Sequence, residues 1–393
     1  MTTALFDTST FDSISAEDLR ATGSLKWTMF PGKTPAFVAE MDFGIAPPIT
    51  RALHTAVDVG AFGYLPPASA TAMSDSFVDW AASRYGWRVS PDDVKPMPDV
   101  IAALELAIDH FSAPGSAVVL PTPAYMPFLT VPEAHDRRII QVPMIRTQDG
   151  WEYDLAGIDR AFSDGGGLLI LCNPHNPIGR VLRHDEMVAI GDVVERHGAR
   201  VFSDEIHAPL VYDGAAHVPY AAVNDVNAGH TITATSASKA WNLPGMKCAQ
   251  VVLSNEADRA YWAEHGRSFG HGVANLGVIA NTAAYSAGGQ WLDGVLSYLD
   301  GNRHLLADLL DEHLPGVEYT APEGTYLAWL ECGPLGIEGS PADFFAEHAE
   351  VVTTDGSMCG DGYETAIRFN FAMPRPILRA TVAAMGAAVR KLS

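Results

Sequence analysis

The chain has 393 residues, enough for two or three domains or one large α/β domain with an attachment. Its make-up, 48% hydrophobic and 18% charged, is globular. The formal net charge of −22 argues against nucleic acid or an anionic membrane as the main partner, since both want a basic face.

No apolar run approaches the ~20 residues of a membrane span. The N-terminal stretch Met1 to Asp7 lacks the basic-then-apolar pattern of a signal peptide. Four cysteines, Cys172, Cys248, Cys332 and Cys359, are scattered without a C-x-x-C pair. A cytoplasmic protein with reduced thiols and no metal site is expected.

The first 45 or so residues are irregular by pattern, with Ser24 to Trp27 and Val38 to Phe43 mixing apolar and charged residues. Pro47 and Pro48 open an amphipathic helix to Val59. Tyr64 follows in a loop of glycines and prolines that should display its phenol. Helical patterns run from Thr71 to Tyr85, ended by Gly86, and from Val100 to Phe111, with Asp99 as N-cap. Ser116 to Leu120 is a predicted buried strand that leads into a proline-fixed loop carrying Tyr125. The three glycines 165–167 mark a turn before a second strand, Leu168 to Cys172. A rigid loop holding Asn176 follows.

Asp185 to His197 reads as a helix. A third strand, Arg200 to Ser203, is followed by Asp204 and His207. A fourth, Thr231 to Thr235, ends near Ser236, Ser238 and Lys239, and a fifth covers Cys248 to Leu253. Strands alternating with helices predict an α/β fold with a mainly parallel sheet, in which ligands bind at the carboxyl ends of strands. After about residue 285 the texture changes. A long helix from Gln290 to Leu314 precedes two strands, Gly324 to Leu330 and Ala366 to Phe371, of a smaller sheet. Arg368 is a lone cation in an apolar strand and should meet a carboxylate, internal or from a substrate. Arg375 is a weaker candidate for the same task.

Lys239, among small residues, can serve as an amine nucleophile that forms a Schiff base. With a deep carboxylate, an aromatic, an amide and phosphate donors beside it, the constellation suits pyridoxal phosphate. Asp204 would pair with the ring nitrogen, Tyr125 would stack on the ring, and Asn176 would bond its oxygen. Ser236, Ser238, Lys247 and the backbone N–H groups near Val100 and Ile101 would hold the phosphate. His207 lies at the same strand end as Asp204.

These motifs resemble those of fold-type I pyridoxal-phosphate enzymes of the aspartate aminotransferase superfamily. More narrowly they resemble the MalY/PatB group of cystathionine β-lyases. The resemblance rests on Ser24 to Trp27, Met41 to Phe43, Phe62 to Tyr64, Pro123 to Phe128, Leu171 to Arg180, Ser203 to His207, Ser236 to Lys239, Glu323 to Trp329 and Arg368 to Arg375. It implies a seven-stranded cofactor-binding domain over 46–285, a smaller α+β domain over 286–393, and an N-terminal segment, 1–45, packing with the latter. It also implies a homodimer in which Tyr64 reaches the neighbouring phosphate, and an Arg368 that binds the substrate carboxylate, with Tyr64, Tyr125 and Asn176 also near the substrate. The implied reaction is α,β-elimination of L-cystathionine or related cysteine conjugates. Transamination needs the same residues and is the alternative. A regulator that binds a transcription factor, as some family members do, has no supporting feature here. Trp241, Ile178, Met373 and Lys247 depart from the family pattern.

Overall fold

A computed structural model describes residues 6–147 and 150–392, so residues 1–5 of the N-terminal stretch lie outside the described residues. Seven strands form one sheet: β1 (Val94–Met97), β2 (Ala117–Thr122), β3 (Ile139–Pro143), β4 (Gly166–Cys172), β5 (Arg200–Asp204), β6 (Thr231–Thr235) and β7 (Ala249–Leu253). Their order is β1-β7-β6-β5-β4-β2-β3. The pairs from β6 to β3 are parallel, while β7 runs antiparallel to both its neighbours.

Successive strand residues point to opposite faces. Val118, Leu120, Leu168, Ile170, Phe202 and Ile232 pack against the helix Val100–His110. Val119, Leu169, Leu171 and Val201 pack against the helices Leu155–Ser163 and His184–Arg196. Both faces are covered, which is why Ala117–Leu120 and Leu168–Cys172 read as unbroken apolar runs.

Two edge strands, β1 and β3, carry no clear apolar run. Lys95 and Pro96 interrupt the first, and Gln141 and Pro143 the second. Gly166 and Gly167, expected in a turn, already belong to β4, because a Cβ at either would drive into Val119 or Ser116. The helix expected from Thr71 starts at Pro67, with proline supplying the fixed φ of a first turn, and stops at Gly86 with φ 67°.

A second, antiparallel sheet holds β8 (Glu318–Tyr319), β9 (Leu327–Glu331), β10 (Thr354–Asp355) and β11 (Ala366–Asn370), in the order β8-β9-β11-β10. It shares a core with the 25-residue helix Gly289–His313 and the helix Arg375–Val389. The early residues are more ordered than their pattern implies. Ser15 and Asp18 form a reciprocal capping box on a helix over Ala16–Ala21, and Ser24 caps Leu25–Thr28. Thr34 and Pro35 then pair with Val351 and Val352, and the Asn370 N–H donates to the Ala36 carbonyl.

Candidate active site

Lys239 sits in the turn after β6 and Asp204 is the last residue of β5, so two parallel neighbours deliver an amine and a carboxylate to one end of the sheet. Arg368 reaches the same space from β11 of the small sheet. The Lys239 amine feels the charges of both of the others. Burial, then the Arg368 guanidinium, bring the Lys239 amine down to about 8 against the opposing charges of Glu40 and Asp204. Burial pushes the Asp204 carboxyl up, the Ile206 N–H bond draws it down, Glu205 pushes it up and Lys239 draws it down, leaving it at about 7. The ring of His207 is held neutral, near 3, by burial and then by the charges of Lys239 and Arg368.

Among the described residues, none of these three ions has a counter-ion within salt-bridge distance. Arg368 donates from Nη1 to Asn176 Oδ1 at 3.1 Å and from Nη2 to the Phe37 carbonyl at 2.7 Å and Thr354 Oγ1 at 3.1 Å. Its Nε is buried with no acceptor at all. The internal carboxylate that would make Arg368 a structural ion is therefore absent. Asp204 accepts the Ile206 N–H at 3.0 Å but no cation. Lys239 Nζ donates only to the Ala39 carbonyl, at 3.0 Å. Isolated buried ions are expensive, and these three together suit a ligand that carries both charge signs. Pyridoxal phosphate and an amino-acid substrate together would have that character: a pyridinium for Asp204, an aldehyde for Lys239 and a carboxylate for Arg368. The donor set fits the group.

Asn176 is positioned by its bond to Arg368, and its loop is tied down from beneath. His175 bonds the Pro123 carbonyl through Nε2 at 2.8 Å and the Tyr153 hydroxyl through Nδ1 at 2.8 Å. Pro123 is two residues from Tyr125, so His175 couples the loops that carry Tyr125 and Asn176. Gly179 follows with φ 70°, and a Cβ there would collide with Pro322. Tyr125 is mostly buried beside Phe128, with ring centroids 5.4 Å apart.

Ser236, Ser238, Lys247, Val100 and Ile101 gather near one helix start. The N–H of Ala102 is capped by Asp99 Oδ1 at 2.8 Å, while Asp99 Oδ2 pairs with Lys247 Nζ at 2.8 Å. Burial raises the Asp99 carboxyl, but the bonds from Lys247 and Ala102 outweigh it and leave the group below its ordinary range. Ser236 differs from expectation. Its hydroxyl donates to the Cys248 carbonyl at 2.7 Å and accepts the Ser238 N–H at 3.0 Å, so it shapes the turn and offers no spare proton. Arg375 is also elsewhere: its guanidinium covers the Tyr298 ring at 4.2 Å and lies 3.9 Å from Asp12. Trp241 and Met373, two of the noted departures, are fully buried in the core. Tyr64 is 99% exposed in the single chain.

The pattern did not single out the strap Phe37 to Asp42 as part of the site, although its mixture of charge and apolar residues was visible. Its carbonyls receive Arg368, Lys239 and both Asn370 amide protons. Tyr326 joins it, donating its hydroxyl to Ala39 at 3.0 Å. A backbone acceptor leaves no residue-type signature, which is why the role was not legible.

The family model of aminotransferase class I and II matches residues 40–385. The chain is 41% identical to a cystathionine β-lyase of Corynebacterium glutamicum, over 92% of this chain and 95% of that protein. It is 32% identical to the cystathionine β-lyase PatB of Bacillus subtilis, over 90% and 93%. A crystal structure from Corynebacterium diphtheriae, described as a β-cystathionase dependent on pyridoxal phosphate, superposes with a TM-score of 0.91 at 39% identity, covering 96% of this chain and 98% of the other. The chain belongs to the aminotransferase class I and II family, within its group of cystathionine β-lyase relatives.

Proposed function

We propose that this chain is a pyridoxal-phosphate-dependent C–S β-lyase that converts L-cystathionine, or a related cysteine S-conjugate, to a thiol, pyruvate and ammonia. The observation that carries it is the cluster of Lys239, Asp204 and Arg368, buried together without counter-ions in a chain whose relatives are cystathionine β-lyases.

Pyridoxal phosphate, when bound, supplies an aldehyde for the substrate amino group and an electron sink for the pair released at Cα. Asp204 would hold the ring nitrogen, Tyr125 a ring face and Asn176 the ring oxygen. Ser238, Lys247 and the N–H groups of Val100 and Ile101 would hold the phosphate, with Ser236 shaping their turn. His207, uncharged, would fill the space beside Asp204 without adding a competing charge. Arg368 would clamp the substrate α-carboxylate and so fix which Cα bond faces Lys239.

Lys239 Nζ then takes the Cα proton. An amine near pKa 8 keeps a minority neutral fraction near pH 7 and remains basic enough to accept the proton. The C–S bond breaks with its electron pair leaving on sulfur, and the Lys239 ammonium is the acid at hand to protonate it. Water completes the hydrolysis of the unsaturated three-carbon amine to pyruvate and ammonia.

The relatives favour elimination over transamination. The enzyme would work as a cytoplasmic homodimer, with the exposed Tyr64, flanked by exposed Phe62, Val57 and Val59, reaching the partner's site. The chain would divide into a cofactor-holding unit over 46–285, a smaller unit over 286–393, and the segment 1–45 laid against the latter. The test is pyruvate release from L-cystathionine with no keto acid added. Pyruvate matched by free thiol supports the lyase. No pyruvate, with the cofactor's absorbance lost on adding substrate and restored by a keto acid, would make it an aminotransferase.

A further inference from the structure

We propose that Tyr326 is a positioning residue for Lys239: by sharing the Ala39 carbonyl with the lysine amine, its hydroxyl weakens that carbonyl's hold on the ammonium form and keeps the amine available to accept a proton. The geometry rests on one oxygen with two donors. Lys239 Nζ and the Tyr326 hydroxyl each lie 3.0 Å from Ala39 O. Each donor withdraws electron density from the oxygen and so weakens the other's bond.

Neither the oxygen nor the hydroxyl is free to move away. The carbonyls on both sides of Ala39, of Val38 and Glu40, receive the two Asn370 amide protons at 2.6 and 2.7 Å. Phe37 O is fixed by Arg368. Beyond Glu40, the buried Asp42 carboxylate is gripped by Lys26 Nζ at 2.9 Å and Trp27 Nε1 at 2.8 Å. The Tyr326 side chain is fully buried, and its ring lies edge-on to His207 with centroids 6.1 Å apart. Burial, then the nearby Glu40 charge, hold the phenol protonated, so the hydroxyl keeps the proton it donates.

The charged groups that face the Lys239 amine are Arg368 from the small sheet, Glu40 from the strap and Asp204 from the large sheet, with neutral His207 beside them. A substitution at Tyr326 changes none of these charges, so a shift in Lys239 reports on the shared carbonyl. The inference rests on the reading of Lys239 as the proton-moving amine; its first test does not need that reading.

The test is competitive labelling of Lys239 in cofactor-free protein across a pH series, read by mass spectrometry of the peptide that holds it. In Tyr326→Phe the Ala39 oxygen serves the lysine alone. The labelling midpoint should rise by about half to one pH unit, the size expected for strengthening one hydrogen bond to a charged donor. In the loaded enzyme the rising basic limb of kcat for L-cystathionine should move the same way, with KM nearly unchanged. Tyr212→Phe, which removes a hydroxyl bonded to the neighbouring Thr325 carbonyl, should move neither. Incorporating 3-fluorotyrosine at position 326 keeps the packing and strengthens the donor, so the midpoint should fall; this also serves if Tyr326→Phe does not fold. A midpoint unmoved or lowered in Tyr326→Phe, unmoved or raised with fluorotyrosine, or shifted equally in Tyr212→Phe, overturns the proposal. If cystathionine is not cleaved at all, the reading of the reaction fails while the labelling result still decides this one.

Discussion

Asp204→Asn should make the cofactor-free protein more stable and the loaded enzyme worse, and the first effect can be calculated from the structure. The Asp204 carboxyl titrates near 7 when folded against an ordinary 3.8. A raised folded pKa contributes stability that is fully present below about pH 4 and is lost as pH rises through about 7, because the folded state must give up a proton it prefers to keep. At 1.36 kcal/mol per unit the ionised group costs roughly 4 kcal/mol at pH 8 and roughly 1.5 kcal/mol at pH 5. Asparagine keeps the acceptor for the Ile206 N–H and never ionises. Urea denaturation of the two cofactor-free proteins should therefore show the variant gaining about 2.5 kcal/mol on wild type between pH 5 and pH 8. Saturating cofactor should close the gap, since only the carboxylate would gain a cationic partner. A stability difference that is the same at both pH values would refute the claim that Asp204 is an ion without a counter-charge.

Four further outcomes follow from the same geometry. Lys239→Ala should lose turnover by at least the 10²–10⁴-fold that proton transfer supplies, about the whole of the activity, together with the visible absorbance of bound cofactor; retained turnover in a cystathionine assay would remove Lys239 from the reaction. Arg368→Lys loses the planar fork, so KM for cystathionine should rise about ten- to a hundredfold with little change in urea midpoint; an unchanged KM would mean the carboxylate binds elsewhere. Lys26 and Asp42 form an ion pair whose side chains are 1% and 2% exposed. Lys26→Met strands that carboxylate and should cost about 3–5 kcal/mol by denaturation, most of it recovered in Lys26→Met with Asp42→Leu; a single variant as stable as wild type would show that the pair contributes nothing. Tyr64→Phe should weaken cofactor retention on dialysis about tenfold, the worth of one hydrogen bond to a charged group; retention equal to wild type would remove Tyr64 from the partner's site.

The sequence alone determined the framework and picked out the candidate site residues. The apolar run Leu168 to Cys172 announces a central parallel strand, because burial on both faces leaves no polar alternation, while Arg200 to Ser203 and the β-branched Thr231 to Thr235 read as strands by residue type and position. Lys239, Asp204, Asn176 and Arg368 were visible because each is an unusual residue type at a strand end or inside an apolar strand. The edge strands Val94–Met97 and Ile139–Pro143 were not, since half-solvated strands with prolines carry no such run. What only the tertiary structure decided is which of these ions lacks a partner. Lys247 meets Asp99, Arg375 stacks on Tyr298, and the Ser236 proton goes to Cys248, while Lys239, Asp204 and Arg368 are left uncompensated. Pairing depends on side chains tens to hundreds of residues apart and on backbone carbonyls such as that of Ala39, which every residue type carries alike. A residue's identity fixes the charge it can bear, but its neighbours in space fix whether that charge is already satisfied or waits for a ligand.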